Sequence, residues 1–139
     1  RGRDVTQLLT TPTPINTFSW RLVAMTEGGY YEGYTTIFSA GDAQYRFYAS
    51  DISLLQDLNQ EWSVQRLKWF THGYYSSREE NNEIIIRDLR MGAEPAYYFN
   101  FVVGERQGEK IVPVVTRNIE TEFSSDKLSA VWQRIRDSI

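Results

Sequence analysis

Residues 18–38 read FSWRLVAMTEGGYYEGYTTIF, two apolar and aromatic runs that meet at a Gly28-Gly29 pair. Runs of strand length on either side of a glycine turn close as a β-hairpin. Trp20, Leu22 and Ala24 alternate with Arg21, Val23 and Met25. Both faces therefore carry apolar side chains, which predicts a strand pair covered on both sides. The pattern recurs downstream. Tyr45 to Tyr48 form a short third strand after a Gly41-Asp42 turn. Residues 74–78 and 83–88 flank a polar turn at 79–82, and residues 97–103 and 110–115 flank a turn at Gln107-Gly108. Twenty of 139 residues are Tyr, Phe or Trp, and such rings pack well on pleated surfaces.

Three segments break this β pattern. Ser50 and Asp51 suit a helix start, with Ile52, Leu54, Leu55 and Leu58 as its stripe and Asn59 as its break. A second helix is expected over residues 60–70, with Trp62, Leu67, Trp69 and Phe70 on its apolar side and Val64 between; a strand over 66–70 remains an alternative. Ser124, Ser125 and Asp126 cap a last helix whose Leu128, Val131, Trp132 and Ile135 fall at i, i+3, i+4 and i+7. The sum is an α+β domain, an antiparallel sheet of about six or seven strands with two or three helices packed on it. Pro12 and Pro14 make residues 1–14 an extended linker, and residues 15–139 are expected to form one soluble domain.

Composition removes several chemistries. There is no cysteine, hence no disulfide, thiolate metal site or cysteine nucleophile. Fifteen Lys and Arg against eighteen Asp and Glu, with signs mixed along the chain, give no electrostatic footprint for nucleic acid. No apolar run reaches the roughly eighteen residues that a membrane span requires. The glycines at 28, 29 and 104 lack the strand–glycine–helix context of a phosphate loop, and no Gly-x-Ser-x-Gly elbow occurs. An opening Arg1 in place of methionine predicts a piece of a longer protein.

The candidate chemistry centres on the single histidine, His72, between Trp69-Phe70 and Gly73-Tyr74-Tyr75. As a general base it needs a partner, and Asp88 is the candidate. As a metal ligand it would need carboxylates such as Asp88, Glu94 and Glu32 to complete the set. The plainer alternative is a histidine at a helix end, paired with a backbone carbonyl. In Arg87-Asp88-Leu89-Arg90 the guanidiniums suit an anion such as phosphate or carboxylate. The alternative is an internal ion pair that fixes the turn before Gly92. Trp20, Tyr30, Tyr31, Tyr34, Trp69, Tyr97 and Tyr98 either line a ligand cleft or pack as core.

Several motifs in order carry a resemblance. Residues 11–14 read Thr-Pro-Thr-Pro, followed by Asn16 and Trp20-Arg21. Residues 69–73 read Trp-Phe-Thr-His-Gly, residues 88–92 read Asp-Leu-Arg-Met-Gly, and residues 132–134 read Trp-Gln-Arg. Across nearly the whole chain this resembles the C-terminal soluble portion of the bacterial membrane-bound metal-dependent hydrolases, inner-membrane proteins. Ile15 stands where the family has an aromatic residue. The resemblance implies a parent protein in the bacterial inner membrane. Its divalent metal belongs to an N-terminal membrane region, leaving no metal ligand and no cofactor in these residues. It also implies that the partner of this domain is that membrane region of its own chain.

Three readings follow. In the first, the chain is the extramembrane domain of such a hydrolase, not catalytic by itself, with a regulatory, substrate-presenting or structural role. The second is a module for a small-molecule or lipid-like anionic ligand, held by Trp20, Arg21, Trp69 and Arg90. The third is a self-contained hydrolase in which His72 and Asp88 form an acid/base pair.

Overall fold

The computed structural model describes residues 3–13, 18–38, 44–120 and 125–137. It is α+β: two antiparallel sheets of four strands each, a short hairpin and three helices among the described residues. The expected Gly41-Asp42 turn, the motif residues Pro14 and Asn16, and Ser124 lie outside the described residues. No helix among the described residues is long and apolar enough to cross a membrane. The chain divides into two compact units, residues 1–49 with 123–139, and residues 50–122.

The first unit is a meander of β1 (Val5–Pro12), β2 (Ser19–Thr26), β3 (Gly29–Thr36) and β4 (Gln44–Ala49), in the order β1-β2-β3-β4. The linker expected from Pro12 and Pro14 is extended, and Val5–Pro12 is paired throughout most of its length with β2 as an edge strand. Proline is tolerated there because an edge strand leaves one row of backbone groups unpaired. The β2–β3 hairpin closes with Thr26 opposite Gly29, around Gly28 at φ +80°. A left-handed residue at this point is what a tight hairpin demands, and glycine adopts it without strain. Every residue of β2 is buried or half-buried, as the two apolar faces required. Val23, Tyr30 and Tyr34 are core, and Tyr30 stacks on Tyr48 of β4 at 5.5 Å. Helix α2 (Ser125–Asp137) buries Ile135, the last position of its predicted stripe.

The second unit carries β5 (Tyr75–Glu80), β6 (Glu83–Asp88), β9 (Asn100–Gln107) and β10 (Lys110–Asn118) in the order β10-β9-β6-β5, with β7 (Gly92–Ala93) and β8 (Ala96–Tyr97) as a separate hairpin. Its core is Leu55, Leu58, Val64, Ile84, Ile86 and Val103. The helix expected after Ser50-Asp51 is a 3₁₀ helix, Ile52–Leu58, and the Asp51 carboxylate accepts from the Ser53 amide at 3.0 Å. The chain before it is tied to β5: the Ser77 hydroxyl donates to the Asp51 carbonyl at 2.6 Å, and the Ser77 amide donates to Ser50 Oγ at 2.9 Å. A Cβ on Gly104 would approach Leu58 Cδ1 to 2.6 Å, so the absence of a side chain lets the 3₁₀ helix close on β9.

Helix α1 (Trp62–Phe70) forms where expected, but of its expected apolar side only Leu67, with Val64, is packed. Trp62, Trp69 and Phe70, expected on its packed side, are exposed. Val64 is buried and Leu67 packs against the core beside it. The reason is geometric. Val64 and Leu67 are spaced i, i+3 and present two aliphatic side chains to one spot. Trp62 and Trp69 fall on the far side of a helix of only nine residues, and Phe70, its last residue, lies on the flank between the two faces.

Candidate functional site

Within the second unit, the Arg87-Asp88-Leu89-Arg90 segment leaves the end of β6. The backbone continues the sheet beyond the strand, with the Leu89 amide donating to the Tyr74 carbonyl at 2.9 Å. Asp88 is 1% exposed. Its Oδ1 accepts from the Arg90 amide at 2.9 Å and from Arg90 Nε at 3.0 Å, and its Oδ2 accepts from Arg90 Nη2 at 2.7 Å. One residue thus folds back over the carboxylate with both backbone and side chain, the bidentate geometry that guanidinium favours. The hydrogen bond to Asp88 raises the Arg90 pKa above its ordinary value. The outer face of Arg90 lies 4.8 Å from the Phe70 ring centroid, a cation–π distance.

Arg87 points to a second network. Its Nε donates to Asn100 Oδ1 at 2.8 Å and its Nη1 to Glu94 Oε1 at 3.2 Å, and the guanidinium lies 5.0 Å from the Tyr97 ring centroid. Asn100 Nδ2 in turn donates to the Tyr97 carbonyl at 3.0 Å. The two arginines therefore brace the chain on either side of Leu89, which is wholly buried.

His72 occupies the turn after α1. Its amide donates to the Trp69 carbonyl at 3.2 Å, its φ is +52°, and its ring centroid lies 6.5 Å from that of Trp69. His72 and Trp69 are both exposed. The following Gly73 is also left-handed, at φ +84°. Two consecutive left-handed residues end the helix and turn the chain into β5, a local role that glycine fills readily and histidine adopts less often.

The other two candidate residues, Trp20 and Arg21, belong to the first unit. Trp20 is half-buried on β2, opposite Thr35 of β3. Arg21 is buried and donates to Glu32 Oε2 from Nε at 3.1 Å and from Nη2 at 2.8 Å. Glu32 is 0% exposed, and its Oε1 pairs with Arg134 Nη1 of α2 at 2.8 Å. The Tyr34 hydroxyl donates to the same oxygen at 3.4 Å. Arg134 also lies 5.6 Å from the ring centroids of Tyr34 and Tyr48. One buried carboxylate is thus clamped between two guanidiniums. Burial, then the Glu32 charge, pushes the Tyr34 phenol well above its ordinary range. Burial works against the charge of Arg134, but Glu32 with Tyr48 and Tyr34 outweighs it and holds its pKa high.

Glu32, Arg134, Glu94 and Asn100 are the partners that sequence reasoning did not bring to these arginines. Glu32 carried a signal: it lies at i+2 from Tyr30 and i−2 from Tyr34, on one face of a strand with aromatic neighbours on both sides. A charge in that position has to be paired. Arg134 adjoins the apolar stripe of α2 but its target is more than a hundred residues away in sequence, and helical spacing carries no such information.

Among the described residues no three His, Cys, Asp or Glu side chains come together as a metal-binding group. Asp88, the one carboxylate of the motif, has three of its roughly four lone-pair directions filled by Arg90. This donor set does not fit a metal ion. Comparison with protein-family models, with curated proteins and with solved structures finds no match.

Proposed function

We propose that this chain is the extramembrane domain of a bacterial inner-membrane, metal-dependent hydrolase, and that it does not catalyse by itself. The ordered motifs from residues 11–14 to 132–134 support the parentage. The observation that carries the non-catalytic role is the state of the motif charges: Asp88 accepts three hydrogen bonds from Arg90, and Arg21 is bound to a buried Glu32. A general base needs a lone pair directed at its substrate, and an anion site needs a guanidinium that the protein has not already neutralised. All three motif arginines, Arg21, Arg90 and Arg134, are engaged by carboxylates of their own unit. The role left to these residues is to hold a rigid surface that presents substrate to, or regulates, a metal centre in the membrane region of the same protein.

The test is a hydrolase screen over phosphoesters, esters and β-lactams, with zinc or manganese added. It compares this chain with a longer one that includes the membrane region. Turnover is expected only from the longer chain, and His72→Ala in the longer chain should leave it largely intact. Turnover by this chain alone, lost in His72→Ala or Asp88→Asn while the fold persists, would overturn the proposal.

A further inference from the structure

The exposed face of α1 is a feature that the ion-pair networks leave unexplained. Trp62, Arg66, Trp69 and Phe70 fall at i, i+4, i+7 and i+8, a single stripe of the helix. Trp62 is 69% exposed, Trp69 71% and Phe70 49%. Two indoles and a phenyl ring turned to solvent on nine residues are far from the scattered apolar exposure of an ordinary surface. Among the described residues one free cation adjoins the rings: the Arg66 guanidinium lies 5.1 Å from the Trp62 ring centroid. Arg90, which lies over Phe70, is already paired with Asp88.

Charge selects the partner. Helix α1 carries Arg66 and Lys68 and no acidic residue, in a chain whose net charge is −3. Neither side chain has an ion-pair partner among the described residues: Arg66 rests on Trp62, and Lys68 donates to the Asn59 side chain. Glu61, the carboxylate adjoining the helix, is half-buried. Two tryptophans and a phenylalanine around an unpaired guanidinium are the composition that settles at the headgroup level of a bilayer. There the ring bodies enter the acyl boundary and the cation meets lipid phosphates.

We propose that the Trp62–Arg66–Trp69–Phe70 face of α1 docks on the surface of a lipid bilayer containing anionic headgroups. The proposal stands on this face alone and does not depend on the hydrolase parentage. It also accounts for the exposed aromatic residues of α1: Val64 and Leu67 suffice to seat the helix, and the rings are left for the bilayer.

The experiment is vesicle co-sedimentation of the 139-residue chain with phosphatidylcholine alone and with phosphatidylcholine mixed with phosphatidylglycerol, at low and at high salt. Binding is expected to the anionic vesicles and to weaken as salt screens the phosphates. Arg66→Gln should weaken it about fivefold, whereas Lys68→Gln, on the side of the helix that carries the buried Val64, should leave it nearly unchanged. Trp62→Ser with Trp69→Ser should weaken it by about tenfold or more, from the apolar area withdrawn. All four side chains lie outside the core, and circular dichroism verifies that each variant is folded. No binding to anionic vesicles at low salt overturns the proposal, as does binding that the tryptophan pair does not alter. Self-association that Trp62→Ser and Trp69→Ser abolish, without vesicle binding, would assign the face to a second copy of the chain instead.

Discussion

Glu32 shows at the level of one residue what the buried charges of this protein do. A lone carboxylate without solvent is strongly disfavoured, and the two guanidiniums of Arg21 and Arg134 make its burial tolerable. Removing it leaves both cations in place with no counter-charge. Glu32→Ala is therefore expected to lower the unfolding free energy by about 3–5 kcal/mol, read from urea denaturation. Tyr34 beside it gives a pH signature. Its phenol holds its proton in the folded state beyond the pH at which an unfolded tyrosine, near about 10, releases it. The stabilisation is complete below that pH and declines as the pH rises above it, with a slope of about 1.4 kcal/mol per pH unit for this one proton. Unfolding measured between neutral pH and strongly alkaline pH should show that decline, and Tyr34→Phe should remove Tyr34's share of it. Stability of the parent that stays flat through this range would contradict the account.

Among the elements, α1 divides sharply between what seats it and what it displays. Val64 lies in a closed aliphatic cluster with Leu55, Leu58, Ile84, Ile86 and Val103. Val64→Ala is expected to destabilise by about 2 kcal/mol, two methyl groups' worth of transfer and a residual cavity. Trp62→Ala, although it removes a far larger side chain, should change stability by no more than about 0.5 kcal/mol. Equal losses from the two substitutions, compared by chemical denaturation, would mean that the tryptophan is packed after all. The elements also show how much the sequence discloses. The hairpins β2–β3, β5–β6 and β9–β10 were legible because glycine, asparagine and polar turns separate runs of apolar residues, and turn chemistry is local. Residues 5–12 were not legible as a strand, because polar threonines and a proline carry no strand period. Their pairing comes from β2, a partner at a distance. The face of α1 was misread because aromatic residues outweigh valine in any apolar tally, whereas the core accepted the side chains that fit it.

Across the whole molecule, the α+β class with antiparallel pairing followed from the alternation of strand-length runs and turns. The division of the strands into two four-stranded sheets did not. Which hairpin adds to which sheet depends on pairings such as β6 with β9, set by contacts that no local period encodes. The candidate residues divide in the same way. Spacing offered an internal ion pair at Asp88, between Arg87 and Arg90 at a strand end, as one of two alternatives, and the fold gives it to Arg90. Arg21 could be marked only as an arginine in an apolar strand, since Glu32 and Arg134 reach it through the tertiary fold. The central claim is that the motif charges hold the structure and do not react. A double-mutant cycle on Asp88 and Arg90, with Asp88→Ala, Arg90→Ala and the double variant unfolded in urea, measures this most directly. A loss of about 3 kcal/mol is expected for Asp88→Ala, with a coupling of about 2 kcal/mol between the two side chains. Two small effects that simply add, to within about 0.5 kcal/mol, would contradict the claim and return Asp88 to the list of groups free for chemistry.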